Sequence, residues 1–358
     1  MPELPEVETV RKGLLPLVGS QVVGAEVLRG RSVRHQAGGR EAFGQLIVGK
    51  TITEVARRGK FLWFPLIDDA DGVAGEVAIG AADALPHQAL IAHLGMSGQL
   101  RLSTGSGDVT IADGGAADGS AVELAQGTSA APGPSTQFDE PDHPHLRVRL
   151  LLETPAGRTV PLDFIDQRTF GYLAVVKLIP TADGLAGGLG TTKALIPDRV
   201  SHIGRDILDD NLSIPQVAAK LQTKKSEIKR LLLDQTIVSG IGNIYADEAL
   251  WQAKLHPTTI AASLTLAQIT ELLQAANRVV SASLSAGGTS FDSLYVDVFG
   301  AAGEYGNSLA VYGRADQPCP HCGTAIERHK FMNRSSYLCP TCQPSLPGMR
   351  YQARERER

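Results

Sequence analysis

Apolar residues near the start of the chain recur at helical spacing, and the pattern then changes to short strand-like runs. The first pattern predicts a helix from about Pro5 to Leu17. The runs that follow are broken by Gly and Pro, which predicts an antiparallel β-sandwich or barrel. The predicted strands are Gln21–Leu28, Thr51–Ala56, Lys60–Leu66, Leu90–Leu94, His145–Leu152, Thr159–Phe164 and Tyr172–Leu178.

From about residue 197 the apolar periodicity becomes helical. Ser213, with a Pro two positions later, favours the start of a helix. Three more helices are predicted. The first has Ile228, Leu231 and Leu232 on its apolar face, the second is Ile244–Gln252, which follows the loop Gly240–Asn243, and the third is roughly Thr265–Leu284. We therefore expect an N-terminal unit (residues 1–195), a helical unit (196–290), a linker with a C-terminal module (291–345) and a disordered tail (346–358).

Composition describes a globular protein of two or three domains. The chain has 358 residues, of which 43% are hydrophobic and 20% charged. Its sequence contains neither an apolar run of membrane-spanning length nor the layout of a signal peptide, so we expect a cytoplasmic protein that does not enter a membrane.

Negative charge is concentrated in two segments, near residues 67–88 and 102–142. They contain five and seven acids and no Lys or Arg, so leaving out these twelve acids changes the formal charge from −4 to +8. The second segment is also rich in Gly, Ala, Ser and Pro, which predicts a disordered loop. The overall charge therefore does not exclude a polyanionic partner.

The first six residues, Met-Pro-Glu-Leu-Pro-Glu, combine an unusual amine with two carboxylates. Removal of the initiator Met would leave Pro2 with a free secondary amine, and an α-amino group has a pKa of about 7.7–8.0. Such an amine can attack a sugar C1′ and form an iminium, while Glu3 and Glu6 could divide acid and base roles. The alternative is an ordinary helix start, which these six residues alone would favour.

All four cysteines lie in two Cys-x₂-Cys pairs that are separated by sixteen residues. This spacing predicts one structural, tetrahedral Zn²⁺ site, and a disulfide pair is the alternative. Between the pairs lie several cations, and residues 333–336 are predicted to form the tip of a hairpin. By itself, such a ribbon is a general nucleic-acid-binding module. The four predicted ligands are Cys319, Cys322, Cys339 and Cys342.

Together these motifs resemble the bacterial formamidopyrimidine-DNA glycosylase family, whose members are 8-oxoguanine DNA glycosylases and abasic-site lyases. The matching motifs, in chain order, are PELPEVETV, RRGKFL, HLGMSG, DQRTFG, LLDQ-x₃-SGIGNIYADE, GGTSF and the four cysteines. The resemblance implies an α+β fold: an N-terminal antiparallel β-sandwich with flanking helices, a helix–two-turn–helix domain and a zinc ribbon. It also implies base-excision repair of oxidised purines in damaged double-stranded DNA, by a monomer associated with the nucleoid.

The resemblance further assigns roles to residues. Pro2 becomes the Schiff-base nucleophile, Glu3 the general acid at the sugar and Glu6 a supporting carboxylate. Lys60 matches a lysine used in β-elimination and at the lesion phosphate, and Arg334 matches a finger-tip arginine that aids δ-elimination. Without the family context, a solvated hairpin lysine and a ribbon cation are the simpler interpretations of these last two.

The remaining assignments concern DNA contacts. Met96, Arg168 and Phe170 match a set that fills the void left by a flipped nucleotide, although core packing would otherwise explain the two apolar members. A histidine contact falls on His143, but His145 is close enough to leave the choice open. A phosphate clamp is implied for Lys224, Lys225, Lys229 and Asn243, whose alternative is a solvated basic helix face.

Two other functions fit parts of the pattern. Endonuclease VIII shares Pro2, Glu3 and the ribbon but prefers oxidised pyrimidines; the Arg168 and Phe170 pair favours the purine enzyme. A zinc-ribbon DNA-binding protein without chemistry would lack the Pro2–Glu3 pair or Lys60, all of which are present.

Overall fold

A computed structural model describes residues 3–68, 85–102, 143–288, 298 and 305–345. Most of both acidic segments, including the predicted disordered loop, falls outside these ranges, as do Pro2 and the tail from residue 346. Among the described helices, none has the length and apolarity needed to cross a membrane.

The N-terminal unit is an antiparallel β-structure with two helices. Helix α1 spans Leu4–Gly13 and α2 spans Gly39–Ile47. The strands, in the described part of the chain, are β1 Gln21–Val27, β2 Lys50–Ile52, β3 Ala56–Arg58, β4 Phe61–Asp68, β5 Gln88–His93, β6 Gly98–Leu102, β7 Leu146–Glu153, β8 Thr159–Asp166, β9 Tyr172–Pro180 and β10 Leu195–Pro197.

These strands follow the order β10-β9-β5-β4-β2-β1-β7-β8-β6, with β3 paired to β4. Side chains from both halves of this order, such as Phe64 of β4 and Phe164 of β8, lie in one buried core with residues of α1 and α2. The predicted sandwich is therefore confirmed. Each predicted strand overlaps an observed one, but the run Thr51–Ala56 is divided between β2 and β3, and α2, β6 and β10 were not predicted.

The helical unit contains α3 Ile214–Gln222, α4 Ile228–Leu232, α5 Asn243–Gln252 and α6 Leu266–Ser285. Ser213 caps α3 by accepting a hydrogen bond from the Gln216 N–H, as the sequence predicts. Leu4 of α1 is fully buried in the apolar core of this unit. The first turn of α1 therefore lies where the sandwich and the helical unit meet.

The C-terminal hairpin pairs β11 Glu327–Phe331 with β12 Arg334–Leu338. Its turn consists of Met332, which has a positive φ of 53°, and Asn333. The predicted tip at residues 333–336 is thus too far along the chain, and Arg334 is the first residue of β12. Arg334 still lies at the turn, where a long cation can extend away from the hairpin.

Candidate active site and nucleic-acid interface

Glu3 lies at the junction between α1 and the N-terminus of α5. Its side chain is buried, and its Oε1 accepts a long hydrogen bond of 3.4 Å from the Ile244 N–H. Oε2 has no hydrogen-bond partner among the described residues. Glu6 supports the turn by accepting a 2.8 Å hydrogen bond from the Glu3 backbone N–H. The first carboxylate therefore keeps one oxygen available for a reacting group.

Gly242 makes this close approach possible. A Cβ at position 242 would lie 2.0 Å from the Glu3 Cδ and 2.2 Å from either carboxylate oxygen. No side chain larger than hydrogen fits there without displacing Glu3. Gly242 of the predicted loop Gly240–Asn243 therefore leaves the space that the Glu3 carboxylate occupies, which the sequence motif does not reveal.

Burial changes the protonation of the two charged groups at this junction in opposite directions. Desolvation raises the pKa of Glu3, although the nearby Lys60 ammonium opposes the change. Desolvation also lowers the pKa of Lys60, and Glu3 opposes that change while Arg334 reinforces it. The pKa values of the two groups are therefore closer to each other than those of two exposed side chains.

A cavity of about 630 Å³ lies beside these groups. Lys60 lies in the two-residue turn between β3 and β4. The strand that was predicted to begin at Lys60 therefore begins one residue later, at Phe61. The walls come from the sandwich, the helical unit and the hairpin, so all three units meet at one opening. The lining residues are Lys60, Phe61, His93, Ile203, Leu233, Gln235, Ile241, Gly242, Phe331, Met332, Asn333 and Arg334.

His93 is a site residue that the sequence reasoning missed. Its ring packs against Phe61 and Tyr172, with centroid distances of 4.8 and 5.7 Å. Burial, reinforced by the Lys60 charge, lowers the pKa of His93 to about 4. A neutral imidazole therefore faces the cavity at neutral pH. In the sequence, the only sign that His93 belongs to the site is that it is the first residue of the HLGMSG motif.

Met96, Arg168 and Phe170 lie on two adjacent loops, as the predicted common role requires. The side chains of Met96 and Phe170 are 37% and 49% exposed, so neither belongs to the buried core. Arg168 is also exposed. Core packing, the simpler alternative for Met96 and Phe170, is therefore wrong.

The four residues assigned to the phosphate clamp separate into two groups. Lys224 and Lys225 are exposed before α4. Lys229 is fully buried, and its Nζ lies 2.6 Å from Asp247 Oδ1, so the alternative of a solvated basic helix face is wrong for this residue. Asn243 is mostly buried and donates a 2.9 Å hydrogen bond to the Ser335 carbonyl. In this structure Lys229 and Asn243 join the helical unit to the hairpin.

The four cysteines form a compact ligand set. Their Sγ atoms all lie within 4.8 Å of one another, and the described cysteines form no disulfide. The Trp251 indole N–H also donates to the Cys319 Sγ at 3.4 Å, as expected for a group that stabilises a thiolate. These residues fit one structural Zn²⁺ with four thiolate ligands, which leaves no open coordination position.

Comparison with known proteins agrees with this geometry. The formamidopyrimidine-DNA glycosylase N-terminal domain matches residues 1–173, the helix–two-turn–helix domain of the same enzymes matches residues 203–294, and the zinc finger found in these glycosylases and in isoleucyl-tRNA synthetases matches residues 316–344. The formamidopyrimidine-DNA glycosylase of Leifsonia xyli is 44% identical over 344 residues, which cover 96% of this chain and 99% of the relative. The chain belongs to the formamidopyrimidine-DNA glycosylase family.

Other relatives and solved structures extend the comparison. The formamidopyrimidine-DNA glycosylase of Thermobifida fusca is 44% identical over 349 residues, with 96% and 98% of the two chains covered. A Lactococcus lactis enzyme bound to DNA with an abasic site superposes with a TM-score of 0.68 at 26% identity and covers 96% of this chain and all of that one. MutM bound to carbocyclic 8-oxo-G DNA gives a TM-score of 0.68 at 27% identity, with the same two coverages. The protein is thus a DNA glycosylase of the base-excision repair class.

His143 and His145 of this glycosylase lie on one turn before β7. Their ring centroids are 5.6 Å apart, and the His145 backbone N–H donates to the His143 Nδ1 at 3.1 Å. Burial and the nearby Arg101 and His145 lower the pKa of His143. The Arg147 guanidinium lies 3.3 Å from the ring nitrogen of His145. Both histidines remain candidates for the predicted DNA contact.

A buried ion-pair network joins the sandwich to the helical unit beneath Lys60, and sequence reasoning missed it. Arg57 Nε lies 2.8 Å from Glu8 Oε2, and its Nη1 lies 2.7 Å from Asp206 Oδ2. Asp206 also accepts a 3.2 Å hydrogen bond from the Gly59 N–H, next to Lys60. The partners are far apart in sequence, so spacing gives no sign of them.

Replacing Arg57 by Met should destabilise the folded glycosylase by about 3–5 kcal/mol, because Asp206 would stay buried without its cation and Glu8 would keep only its pair with Arg11. Urea unfolding followed by circular dichroism measures the change. Lys50→Met is the control: it removes the partly exposed pair with Asp68 and should cost at most about 1 kcal/mol. Equal losses in the two variants would contradict a special contribution from the buried network.

Proposed function

We propose that this glycosylase removes oxidised purines, such as 8-oxoguanine and formamidopyrimidines, from duplex DNA and then cleaves the strand by β,δ-elimination. The observation that carries the proposal is the buried Glu3 carboxylate, with one free oxygen and a raised pKa, directly after Pro2 in the sequence and near Lys60. Related solved structures bind DNA that contains Fapy-dG or carbocyclic 8-oxo-G, which supports a purine substrate.

The first step is nucleophilic attack. The unprotonated Pro2 nitrogen forms a bond to the sugar C1′, and the electron pair of the glycosidic bond leaves with the base. The Pro2 nitrogen then releases its N–H proton, which balances the proton that the departing base takes up. Glu3 gives its proton to the sugar ring oxygen, so the ring opens and the C1′–N bond becomes an iminium. A buried carboxylic acid suits this role because it keeps its proton at a pH where an exposed glutamate is ionised.

The iminium then makes the neighbouring C2′ proton acidic. A base takes up that proton, and the C3′–O bond breaks so that the 3′-phosphate leaves with its electron pair in β-elimination. Loss of a further proton to a base then breaks the C5′–O bond and releases the 5′-phosphate in δ-elimination. We assign Lys60 to the lesion phosphate and the first elimination, and Arg334 to the second, since both line the same cavity. When bound, the zinc ion supplies only structural support to the hairpin that carries Arg334.

DNA contacts complete the proposal. Met96, Arg168 and Phe170 take the place of the flipped nucleotide, and one of the histidines at 143 and 145 contacts the strand. Such an enzyme needs no second subunit, since one chain supplies every group named, and we propose a monomer at the nucleoid of the bacterial cytoplasm.

Borohydride reduction of reactions with 8-oxoguanine duplex should trap one covalent DNA adduct, and peptide mapping should place it on Pro2. A parallel reaction with thymine-glycol duplex separates this function from an endonuclease VIII activity, which would favour that lesion. A protein without chemistry would give no adduct on either duplex. An adduct on Lys60, or full lyase activity with Met1 retained, would contradict the Pro2 mechanism.

Lys224 and Lys225 should each contribute one counterion-releasing phosphate contact. Replacing either by Gln should weaken binding to every DNA sequence alike and reduce the slope of log K against log salt by about 0.9. Titration of undamaged duplex at several salt concentrations measures the slope. Lys50→Gln is the control, because Lys50 is already paired with Asp68. An unchanged slope in both clamp variants would remove these lysines from the interface.

A further inference from the structure

We propose that Ser97 and Asp166 form a latch that holds the Met96 loop and the Arg168–Phe170 loop in a single arrangement. They would be positioning residues for the side chains that enter the duplex. This inference rests on the proposed function, since it concerns how that enzyme opens a base pair. Neither residue has been assigned a role in the chemistry above.

The latch is a chain of short hydrogen bonds around one buried carboxylate. Asp166 is fully buried; its Oδ1 accepts a 2.6 Å hydrogen bond from the Ser97 hydroxyl and its Oδ2 accepts a 2.7 Å bond from the Gly171 N–H. The Ser97 oxygen in turn accepts a 2.9 Å hydrogen bond from the Arg168 N–H. One carboxylate and one hydroxyl thus connect both loops at the paired ends of β6 and β8.

Backbone contacts hold the same two loops in close proximity. Gly95 has a φ of +64°, and a Cβ there would lie 2.5 Å from the Gly171 nitrogen. Thr169, between the two exposed side chains, also has a positive φ, of 53°. A conformation that is unfavourable for a β-branched residue persists only when its surroundings fix it. The latch supplies such a constraint on one side of Thr169.

Arg34 restrains the other side of the second loop. Its guanidinium donates hydrogen bonds of 2.8 Å to the Phe170 carbonyl and 2.7 Å to the Gly171 carbonyl. The same group lies 5.3 Å from the centre of the Tyr172 ring. The backbone around Phe170 is therefore fixed on two sides, while its side chain remains about half exposed.

This combination of a fixed backbone and exposed side chains suits the insertion of Met96 and Phe170 into the base stack of the duplex. Inserting a side chain between stacked bases is unfavourable in itself, and a flexible loop would add an ordering cost to it. A loop that is already ordered avoids that added cost. Loosening the latch should therefore slow base-pair opening and leave the chemistry at an already open site unchanged.

The test compares two substrates in single-turnover experiments with Ser97→Ala and Asp166→Asn. Excision of 8-oxoguanine paired with cytosine should slow by about tenfold, consistent with loss of a hydrogen bond to a charged group. Strand cleavage at a preformed abasic site, which has no base to unstack, should stay within about twofold. The fluorescence rise of 2-aminopurine next to the lesion should slow by the same factor as excision.

Two further variants keep the test decisive. Arg34→Gln changes an exposed residue, so it should fold and give the same pattern even if a buried variant unfolds. Ser263→Ala, which removes a hydroxyl in the helical unit that donates to the Ile260 carbonyl, should change neither rate. Equal slowing on both substrates would make the latch a general structural element, and no slowing on either would make it irrelevant; both results overturn the proposal.

Failure of the proposed function gives a different result. Wild-type protein that excises thymine glycol but not 8-oxoguanine would overturn the substrate assignment alone. The latch is then tested on thymine glycol with the same abasic-site comparison. Wild-type protein that opens no lesion duplex, with no 2-aminopurine signal, would overturn the latch as well.

Discussion

Replacing Glu3 by Gln should abolish base excision, with a rate loss of about 10²–10⁴-fold, while binding to lesion-containing duplex stays nearly unchanged. The amide has almost the same volume as the carboxylic acid and can still accept the hydrogen bond from the Ile244 N–H. It cannot give a proton to the sugar ring oxygen. Single-turnover excision and a binding titration on the same 8-oxoguanine duplex measure the two effects separately.

The pH dependence of excision gives a second measurement of the same group. Because burial raises the pKa of Glu3, its acid form persists above the range in which an ordinary glutamate loses its proton. Excision that depends on this acid is present below the raised pKa and falls as the pH rises through it. The residual activity of Glu3→Gln should lack this alkaline fall, since the amide does not titrate in that range.

Two other variants test whether the position of the carboxylate matters as well as its proton. Gly242→Ala keeps Glu3 but places a methyl group within about 2 Å of its carboxylate, so it should also reduce excision strongly. Glu41→Gln, an exposed exchange on α2, should have no effect. Excision by Glu3→Gln at more than a tenth of the wild-type rate would show that Glu3 is not the acid.

The sequence predicted most of the sandwich because its strands carry their own local signal. Alternation of side chains and bounding Gly or Pro residues mark strands such as the predicted Thr159–Phe164, which lies within β8, without any knowledge of their partners. The edge strands β6 and β10 and the helix α2 were missed. β6 has only five residues, β10 has three, and α2 begins at Gly39 with Gly38 as its cap, so no capping side chain marks its start.

The residues of the candidate site could be predicted from the sequence, but the pairing of their charges could not. Lys229 was assigned to a phosphate clamp because the family resemblance places such a clamp in this part of the chain. Its charge is instead balanced by Asp247, eighteen positions further along the chain in the neighbouring helix. Contacts of this kind depend on how helices pack, and local spacing carries no information about them.

Glu3 illustrates the same limit at the proposed catalytic centre. The motif at the chain start indicates that two carboxylates lie close to Pro2. It does not indicate that Gly242 contacts one of them from a different unit, or that burial raises its pKa. Those properties arise only when α1 packs between the sandwich and the helical unit.

The hairpin that carries Arg334 depends on both the metal site and three contacts with α5. Asn243 donates to the Ser335 carbonyl, and Asp247 accepts hydrogen bonds from the Ser336 hydroxyl and the Tyr337 N–H at 2.8 and 3.0 Å. Near the C-terminal end of α5, the Trp251 indole N–H donates a hydrogen bond to the Cys319 sulfur. Loss of the metal should therefore release the hairpin from α5 and remove Arg334 from the cavity.

Replacing Cys339 by Ser should consequently eliminate bound zinc and weaken binding to lesion duplex by about two orders of magnitude, because one or two charge-assisted contacts are lost. Metal analysis should give about one zinc per chain for the wild type and none for the variant.

His321→Ala is the control: the residue is exposed between two ligands and should leave the zinc in place. The sandwich signal in circular dichroism should survive in both variants, since its core contains no cysteine. A metal-free protein that still bound and cleaved DNA at the wild-type level would contradict a structural role for the zinc, because the hairpin would then be held by its contacts with α5 alone.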